Sequence, residues 1–268
     1  MDRKLVIIPT YNEKENIADI IAAVFALEGN FHILVIDDGS PDGTADIVKR
    51  IQSSGVGALS GTSALLSAEE SAPTPDKRLH LLERSGKLGL GTAYLTGFRW
   101  ALEHGYDYIF EMDADFSHNP ADLLRLWEAC AHGGADVAVG SRYCNGVSVV
   151  DWPMSRIIMS YFASAYVRTM LRMKVYDTTA GFVCYTRKVM EAIDLDAVKM
   201  RGYGFQIEMK YTAWRLGFTI KEVPIIFINR QKGTSKMSGG IFSEAFWGVI
   251  GLRFRRITPN RHRAQGES

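Results

Sequence analysis

Two acidic turns, each directly after an apolar run typical of a buried strand, carry the residues best suited to chemistry. Asp37-Asp38-Gly39-Ser40 follows residues 33–36, and Asp113-Ala114-Asp115 follows residues 108–112. The carboxyl ends of parallel strands form the ligand-binding edge of open α/β sheets. Neighbouring carboxylates repel each other unless a positive charge lies between them. We therefore expect a divalent cation that carries a nucleotide diphosphate at this edge.

Asp113 and Asp115 are the candidate metal ligands. Carboxylate oxygens are hard ligands suited to Mg²⁺ or Mn²⁺, which usually keep waters and share substrate phosphates. A cation held here would neutralise the charge that builds on a departing diphosphate. An isolated Asp-x-Asp is frequent by chance, but its position after a predicted buried strand favours a metal site.

The first predicted strand also ends in a loop that can bind a nucleotide. Pro9 ends ladder pairing, so the residues after it are predicted to lie at the ligand edge of the sheet. Tyr11 can stack on a nucleobase, and Glu13 can accept hydrogen bonds from the base or its sugar. The alternative for this segment alone is an ordinary strand-to-helix turn with Asn12 as its cap.

The turn after the second strand contains three aspartates with different predicted roles. Asp38 is predicted to bind ribose hydroxyls or base amides, as acidic residues do in other nucleotide sites. Asp42 is predicted to form a cap or turn, and Asp37 suits the same structural role.

A glycine-rich segment, Ser-Gly-Lys-Leu-Gly-Leu-Gly-Thr at residues 85–92, lies between a predicted strand and a predicted helix. Phosphate-binding loops occupy such positions. The dinucleotide pattern fails because Tyr94 stands where glycine or alanine is required, which disfavours an NAD-dependent oxidoreductase. We interpret the segment as a close backbone turn in which Lys87 can contact a phosphate.

Basic residues provide the counterpart to these carboxylates. Arg142 ends a predicted strand, and we expect it to point into the same edge of the sheet. Arg230, Lys232 and Lys236 lie in one predicted loop, for which a solvated basic surface is the competing interpretation. Guanidinium binds phosphate through a two-point fork that ammonium cannot form.

The elements that must position these residues alternate between strand and helix up to about residue 142. Strands are predicted at residues 5–8, 33–36, 79–83, 108–112 and 137–139, and helices at 14–27, 44–52, 92–104 and 120–132. This alternation predicts βαβ units and an α/β fold, with a mainly parallel sheet flanked by helices.

The pattern changes after residue 142. An amphipathic helix pair is predicted at residues 152–174, a helix at 204–216, a strand at 219–223 and an extended segment at 224–229. The predicted domains are a catalytic domain at 1–240, with a flexible insertion at 53–78, and an amphipathic helix with a basic tail at 241–268. The arginines among these apolar helices also suit contact with a membrane surface.

Composition narrows the function classes. The chain has 268 residues and a net charge of +1, which gives no reason to expect nucleic acid as a partner. Its three cysteines are widely spaced, which suits a reducing compartment and argues against a disulfide framework or zinc cluster. No signal peptide and no run of roughly 20 apolar residues is found. We expect a cytoplasmic protein, peripherally associated with the cytosolic face of a membrane.

Taken together, six motifs resemble the inverting family 2 glycosyltransferases of the GT-A fold, and most closely the dolichol-phosphate mannose synthases. The similarity covers nearly the whole chain apart from the insertion and the basic tail. In order along the chain, the motifs are Ile8-Pro9-Thr10-Tyr11-Asn12-Glu13, Asp37-Asp38-Gly39-Ser40-Pro41-Asp42-Gly43-Thr44, Gly89-Leu90-Gly91-Thr92-Ala93-Tyr94, Met112-Asp113-Ala114-Asp115-Phe116-Ser117-His118, Gly140-Ser141-Arg142-Tyr143 and Gly233-Thr234-Ser235-Lys236.

The resemblance implies transfer of mannose from GDP-mannose to a polyprenyl phosphate, with inversion to a β-linked product. It also implies roles for individual residues. Guanosine would contact Pro9, Tyr11, Glu13, Ile36 and Asp38. Mg²⁺ or Mn²⁺ would bind Asp113 and Asp115, with the Ala114 backbone near the diphosphate. Phosphates would bind Arg142, Arg230 and Lys236, and the expected catalytic residues are Asp115, Arg142 and Arg230.

The chain also departs from that family. Some relatives carry C-terminal transmembrane helices, whereas this sequence ends in an arginine-rich tail. Membrane recruitment would then depend on surface helices, on the tail or on a membrane-anchoring subunit. Two alternative functions remain open: a polyprenyl-phosphate glucosyltransferase that uses UDP-glucose, and an inactive nucleotide-sugar-binding or scaffold protein.

Overall fold

The computed structural model describes residues 2–55, 77–200, 202–229 and 241–260. The predicted insertion at 53–78 therefore lies mostly outside the described residues, although its first residues continue a helix to Ser54. Arg230, Lys232 and Lys236 also lie outside the described residues, as does the tail from residue 261.

Strands and helices alternate through the first half of the chain, and shorter strands are interspersed with helices in the second half. The elements are β1 (Lys4–Thr10), α1 (Ile17–Phe25), β2 (Phe31–Asp37), α2 (Thr44–Ser54), β3 (Leu79–Glu83), α3 (Leu90–Glu103), β4 (Tyr108–Glu111), α4 (Asp122–Ala131), β5 (Val137–Ser141), β6 (Val149–Val150), α5 (Met154–Leu171), β7 (Val183–Thr186), α6 (Arg187–Ala192), α7 (Tyr203–Arg215), β8 (Ile220–Pro224), β9 (Phe227–Ile228) and α8 (Ile241–Phe254).

The main sheet has the strand order β3-β2-β1-β4-β7-β5-β8. The strands β1, β2, β3 and β4 pair in parallel, and so do β5 and β8. This arrangement confirms the predicted α/β fold with a mainly parallel sheet. Because the first four strands run in the same direction, their carboxyl ends reach one edge of the sheet, where Thr10 lies opposite Asp37.

The strands β1 and β2 are apolar over most of their length because helices cover both faces of the sheet. Helices α1, α2 and α4 pack against alternate strand residues such as Val6 and Ile8. Helices α3, α6 and α7 pack on the other face, against residues such as Ile7 and Ile36. A Cβ atom at Gly97 of α3 would lie 2.8 Å from Ile7 and 3.0 Å from Ile36, so glycine is required for this close approach.

The strand β7 is the part of the sheet that the sequence does not predict. It lies between β4 and β5 and is antiparallel to both. Its four residues are too few to establish a periodic pattern, although valine, tyrosine and threonine favour strands. In the small sheet of β6 and β9, β9 lies within the extended segment predicted at 224–229, whereas the two-residue β6 is too short to predict.

The predicted helix pair at residues 152–174 is wrong, because a single helix, α5, occupies Met154–Leu171. The helix contains neither glycine nor proline, so no residue in it interrupts the hydrogen-bond ladder. It ends where Arg172 adopts a left-handed conformation with φ of 56°. Val249 and Leu252 of α8 are buried in one cluster with Val167 of α5 and Tyr211 of α7.

No helix in the described part of the chain combines the length and apolarity needed to cross a bilayer.

The imidazole of His80 on β3 makes the stability of the fold depend on pH in a predictable direction. Its ring lies 4.7 Å from that of Trp100, and burial, together with the nearby His32, His104 and Arg3, lowers the pKa of His80 to about 4. An unfolded histidine has a pKa of about 6.5, so the unfolded chain takes up this proton first as the pH falls.

We therefore expect the free energy of unfolding to fall as the pH is lowered from about 6.5 to about 4. The variant His80→Gln should lose less stability over this range, as measured by urea unfolding at several pH values. The exposed His132 offers a control, since His132→Gln should keep the wild-type dependence. An unchanged pH dependence in His80→Gln would contradict the assignment.

Candidate active site

The acidic turn after β2 contains two aspartates that shape the backbone. Asp37 accepts hydrogen bonds from the Thr10 hydroxyl at 2.9 Å and from the Ser40 amide at 2.8 Å. Asp42 accepts from the amides of Thr44 at 3.0 Å and Lys14 at 3.1 Å. These bonds confirm the structural role predicted for Asp42 and join the loops that follow β1 and β2.

Asp38, the predicted nucleotide ligand in this turn, is paired with Arg84. Arg84 donates to Asp38 Oδ1 from Nε at 2.6 Å, and its Nη2 lies 2.5 Å from the same oxygen. Arg84 also donates from Nη1 to the Thr92 hydroxyl at 2.9 Å. Arg84 is not among the site residues that the sequence predicts, although it directly follows β3 at the same edge as the aspartates.

The loop after β1 brings two more predicted residues to this edge. The Lys87 ammonium lies 5.2 Å from the centroid of the Tyr11 ring, so the glycine-rich loop packs beside the loop after β1. Glu13 is buried, and its carboxylate accepts a hydrogen bond from the Asn16 side chain at 3.0 Å.

Pro9 and Ile36 lie opposite each other in the register of β1 and β2. The Ile36 side chain belongs to the core beneath α3, so any contact of Ile36 with a nucleotide would come from its main chain.

A backbone amide that follows the Asp113-Ala114-Asp115 turn donates a hydrogen bond back to it. Asp115 is buried and accepts a hydrogen bond from the Ser117 amide at 3.0 Å. Phe116 between them has φ of 58°, a left-handed conformation that is strained in a non-glycine residue and that recurs at functional sites. The turn thereby fixes the orientation of the Asp115 carboxylate.

These two carboxylates fit a divalent cation that completes its shell with phosphate and water. Asp113 is half-buried and Asp115 is buried. Within the described ranges, no group of three or more His, Cys, Asp and Glu side chains is arranged to hold a metal ion. Mg²⁺ is commonly held by one or two carboxylates together with substrate phosphates, and this donor set matches that pattern.

Arg142 lies at the end of β5 and forms a two-point fork with Asp177. Its Nε donates to Asp177 Oδ2 at 2.7 Å, and its Nη2 donates to Oδ1 at 2.6 Å. The Arg142 amide donates to the same carboxylate at 2.9 Å, and Thr179 accepts a further bond from Nη2. Burial alone would raise the pKa of Asp177, but Arg142 holds it below its ordinary value.

Aromatic rings surround the Arg142 guanidinium. Its central carbon lies 5.2 Å from the ring centroid of Tyr143, 5.4 Å from that of Trp152 and 5.5 Å from that of Phe227. Such rings attract cations through their electron-rich faces. These three rings form the Arg142 cage, which helps to keep the guanidinium charged although Arg142 is only 8% exposed.

His118 connects the acidic turn with the Arg142 cage. Its ring lies 5.3 Å from that of Phe227, which also contacts Arg142. Burial lowers the pKa of His118, Arg142 acts in the same direction, and Asp115 opposes them. His118 therefore lies between the acidic turn, whose Asp113 amide is 3.5 Å from its Nδ1 atom, and the Phe227 ring that also contacts Arg142.

A second arginine, Arg156 in the first turn of α5, joins this site without having been predicted. Its guanidinium carbon lies 3.9 Å from the Trp152 ring centroid, and Nη1 donates to the Asn229 side chain at 3.3 Å. Arg142 and Arg156 thus share the Trp152 ring. Arg230 directly follows Asn229, but Arg230 and Lys236 lie outside the described residues.

The fold is that of a GT-A glycosyltransferase. Residues 5–194 match the model of a family described as glycosyl transferase family 2. The chain belongs to this family.

Two curated relatives match almost the whole chain. A polyprenol monophosphomannose synthase of Mycolicibacterium smegmatis is 46% identical over 254 residues, which cover 93% of this chain and 88% of the relative. An undecaprenyl-phosphate mannosyltransferase of Micrococcus luteus is 43% identical over 262 residues, which cover 94% of this chain and 98% of the relative.

Solved structures support the GT-A fold. Glucosyl-3-phosphoglycerate synthase from Mycobacterium tuberculosis, crystallised with phosphoglyceric acid, has a TM-score of 0.66 at 16% identity, with 94% of this chain and 80% of that chain covered. A complex of the same enzyme with Mn²⁺, UDP and glucosyl-3-phosphoglycerate has a TM-score of 0.65 at 16% identity, with the same coverage. At this identity the similarity concerns the fold alone.

The Arg142–Asp177 fork predicts a large loss of stability when one partner is removed. Asp177→Ala would leave the buried Arg142 guanidinium without its counterion and should lower the free energy of unfolding by about 3–5 kcal/mol. Urea unfolding measures this change. The exposed pair of Asp196 with Arg99, at 2.6 Å, provides a control, because Asp196→Ala should cost less than about 1 kcal/mol. Equal effects of the two substitutions would refute the prediction.

Proposed function

We propose that this protein transfers mannose from GDP-mannose to a polyprenyl phosphate and inverts the anomeric configuration to give a β-linked product. The observation that carries the proposal is the identity of 46% to a relative named as a polyprenol monophosphomannose synthase and of 43% to one named as an undecaprenyl-phosphate mannosyltransferase. The contact between the acidic turn and the Arg142 cage through His118 and Phe227 supports the proposal. We assign the reaction to residues 1–240, and a membrane-binding role to the helix and tail at 241–268.

The donor would lie along the edge formed by β1, β2 and β4. Tyr11 would stack on the guanine, and Asp38 would accept hydrogen bonds from the nucleoside. Glu13, Pro9 and the main chain of Ile36 would complete the nucleoside site. Asp113 and Asp115 would hold Mg²⁺ or Mn²⁺ against the diphosphate with the Ala114 backbone beside it, and the cation would supply charge stabilisation for the leaving group.

The acceptor needs no general base in this scheme. A phosphate monoester is already anionic near neutral pH, so no proton must be removed before it attacks. One of its oxygens would form a bond to the anomeric carbon of mannose while the bond from that carbon to GDP breaks. The residues must therefore hold two anions together, which is the task assigned to Arg142, Arg156, Arg230 and Lys236.

The lipid part of the acceptor would reach the site along α5. Met154, Ile158 and Phe162 form a stripe on this helix with exposed fractions of 68%, 49% and 65%. Their spacing of four residues places them on one face, and Arg156 lies in the same first turns. Apolar side chains next to arginines suit the interface of a membrane, so we propose peripheral association with its cytosolic face. A membrane-anchoring subunit would add to this contact.

Loss of one metal ligand should stop the transfer. Asp115→Asn removes a negative charge from the proposed cation site and should lower the turnover by about a hundredfold or more. Transfer of labelled mannose from GDP-mannose to a short polyprenyl phosphate, with Mg²⁺ or Mn²⁺, provides the measurement. The control Asp46→Asn alters an exposed carboxylate and should keep wild-type turnover. Near-normal turnover in Asp115→Asn would refute the metal assignment.

The same assay tests the donor. We expect GDP-mannose to label the lipid and UDP-glucose to leave it unlabelled at equal concentrations. Labelling from UDP-glucose alone would overturn the proposed reaction in favour of a polyprenyl-phosphate glucosyltransferase. Binding of GDP-mannose without any transfer would favour the inactive binding protein.

The stripe on α5 should control membrane binding. Replacement of Ile158 and Phe162 by serine removes apolar area from the proposed interface and should reduce flotation with vesicles of anionic phospholipid about tenfold. Turnover with a water-soluble short-chain acceptor should change less than turnover with a long-chain acceptor in vesicles. Wild-type flotation of this double variant would show that α5 is not the membrane contact.

A further inference from the structure

Residues 177–180 receive hydrogen bonds from two buried cations. The first is Arg142, which donates its two-point fork to Asp177 at 2.7 and 2.6 Å and a further bond to the Thr179 hydroxyl at 2.9 Å. The second is Lys210 of α7, which is fully buried. The segment 177–180 therefore contacts both an arginine of the proposed site and a lysine of a helix outside it.

Lys210 binds the main chain of this segment. Its ammonium donates to the carbonyl oxygens of Ala180 at 2.6 Å and Thr178 at 3.4 Å. Further contacts are to the carbonyl of Gln206 at 3.2 Å and to its side-chain oxygen at 3.3 Å, one turn earlier in α7. The residues whose side chains bind Arg142 therefore alternate with residues whose carbonyls bind Lys210.

The two ends of the segment are held by different elements. At its start, the Asp177 amide donates to Glu222 of β8 at 2.9 Å. At its end, the Ala180 carbonyl accepts from Lys210 of α7. Because the side chains that bind Arg142 belong to this segment, a shift of its end would move the groups that orient the guanidinium.

The burial of Lys210 is costly. It lowers the pKa of Lys210 to about 8, and Glu111 opposes the shift. Replacement of a buried ion pair by apolar side chains of similar volume is often neutral or stabilising, so stability alone does not account for a charge at this place. A role in fixing the carbonyls of the segment that binds Arg142 does account for it.

We propose that Lys210 is a positioning residue, which acts through residues 177–180 to hold the Arg142 guanidinium in the orientation that binds a substrate phosphate. The inference rests on the proposed function in that it requires Arg142 to bind phosphate during sugar transfer. It goes beyond that function because it extends the site to α7, a helix to which no nucleotide or metal ligand is assigned. Lys210 itself would touch neither substrate.

A double-mutant cycle between Lys210 and Arg142 tests this indirect action. Lys210→Met removes the ammonium but keeps an unbranched side chain, and it should lower kcat/KM for mannose transfer about tenfold. Arg142→Lys keeps a cation beside Asp177 but cannot form the fork. In that background Lys210→Met should lower kcat/KM less than about threefold, because the group on which Lys210 acts is already absent. Equal losses in both backgrounds would overturn the proposal.

Two further variants guard this cycle against effects on folding. Lys188→Met removes a lysine that is 58% exposed and pairs with Asp136, and it should leave kcat/KM unchanged in both backgrounds. If Lys210→Met does not fold because Glu111 loses its counterion, Glu111→Gln/Lys210→Met removes both buried charges and replaces it, with Glu111→Gln as the reference.

Hydrogen exchange at Arg142 Nε, followed by nuclear magnetic resonance, tests the same link without any substrate. Lys210→Met should speed this exchange about tenfold, because the fork opens more often when the segment is no longer held. Arg84 offers a matched control, since its side chain is 10% exposed, as is that of Arg142, and its Nε binds Asp38 at 2.6 Å. Exchange at Arg84 Nε should stay unchanged. Equal acceleration at both arginines would mean a general loosening of the fold and would overturn the proposal.

The exchange measurement contains neither mannose nor lipid, so the two proposals can fail separately. Faster exchange at Arg142 alone, in a protein whose unmodified form transfers no mannose, would overturn the proposed function and support the action of Lys210 on Arg142. Mannose transfer together with unchanged exchange at Arg142 in Lys210→Met would overturn only the role of Lys210.

Discussion

The buried fork between Arg142 and Asp177 is the interaction on which the rest of the site depends. A guanidinium can remain charged away from water only when its charge is compensated. Here a carboxylate and a hydroxyl accept hydrogen bonds from Arg142, and three aromatic rings surround it. The fork also joins separate parts of the fold. Glu222 of β8 accepts hydrogen bonds from the amides of Tyr176 at 2.7 Å and Asp177 at 2.9 Å, so the edge of the sheet fixes the carboxylate that orients the arginine.

Behind the fork, a buried lysine holds the loop that contains Asp177. Lys210 of α7 donates to the carbonyls of Ala180 at 2.6 Å and Thr178 at 3.4 Å. Burial lowers the pKa of Lys210, and Glu111 at the end of β4 opposes that shift. Burial raises the pKa of Glu111, and Lys210 opposes that rise in turn. Lys210 therefore holds the loop that contains Asp177 by hydrogen bonds, and its charge favours the ionised form of Glu111.

The sequence predicts the half of the fold in which strand and helix alternate, because each element there has a clear hydrophobic period and recognisable turn residues. The four strands that end at Thr10, Asp37, Glu83 and Glu111 are all predicted in place. The antiparallel β7 is too short to give a period, and the predicted break within α5 is absent because no residue there ends a helix. The structural role of Asp42 could be predicted, since its partner Thr44 lies two residues away at the start of α2.

The sequence by itself determined which residues stand at the ligand edge, since strand periodicity and the residues after each strand are local properties. Only the tertiary structure decided which charges meet. Asp177 lies 35 residues from Arg142, and Arg84 lies 46 residues from Asp38. No local pattern encodes such pairs. They form because burial of charge at the strand ends is favourable only where packing brings an opposite charge within hydrogen-bond distance.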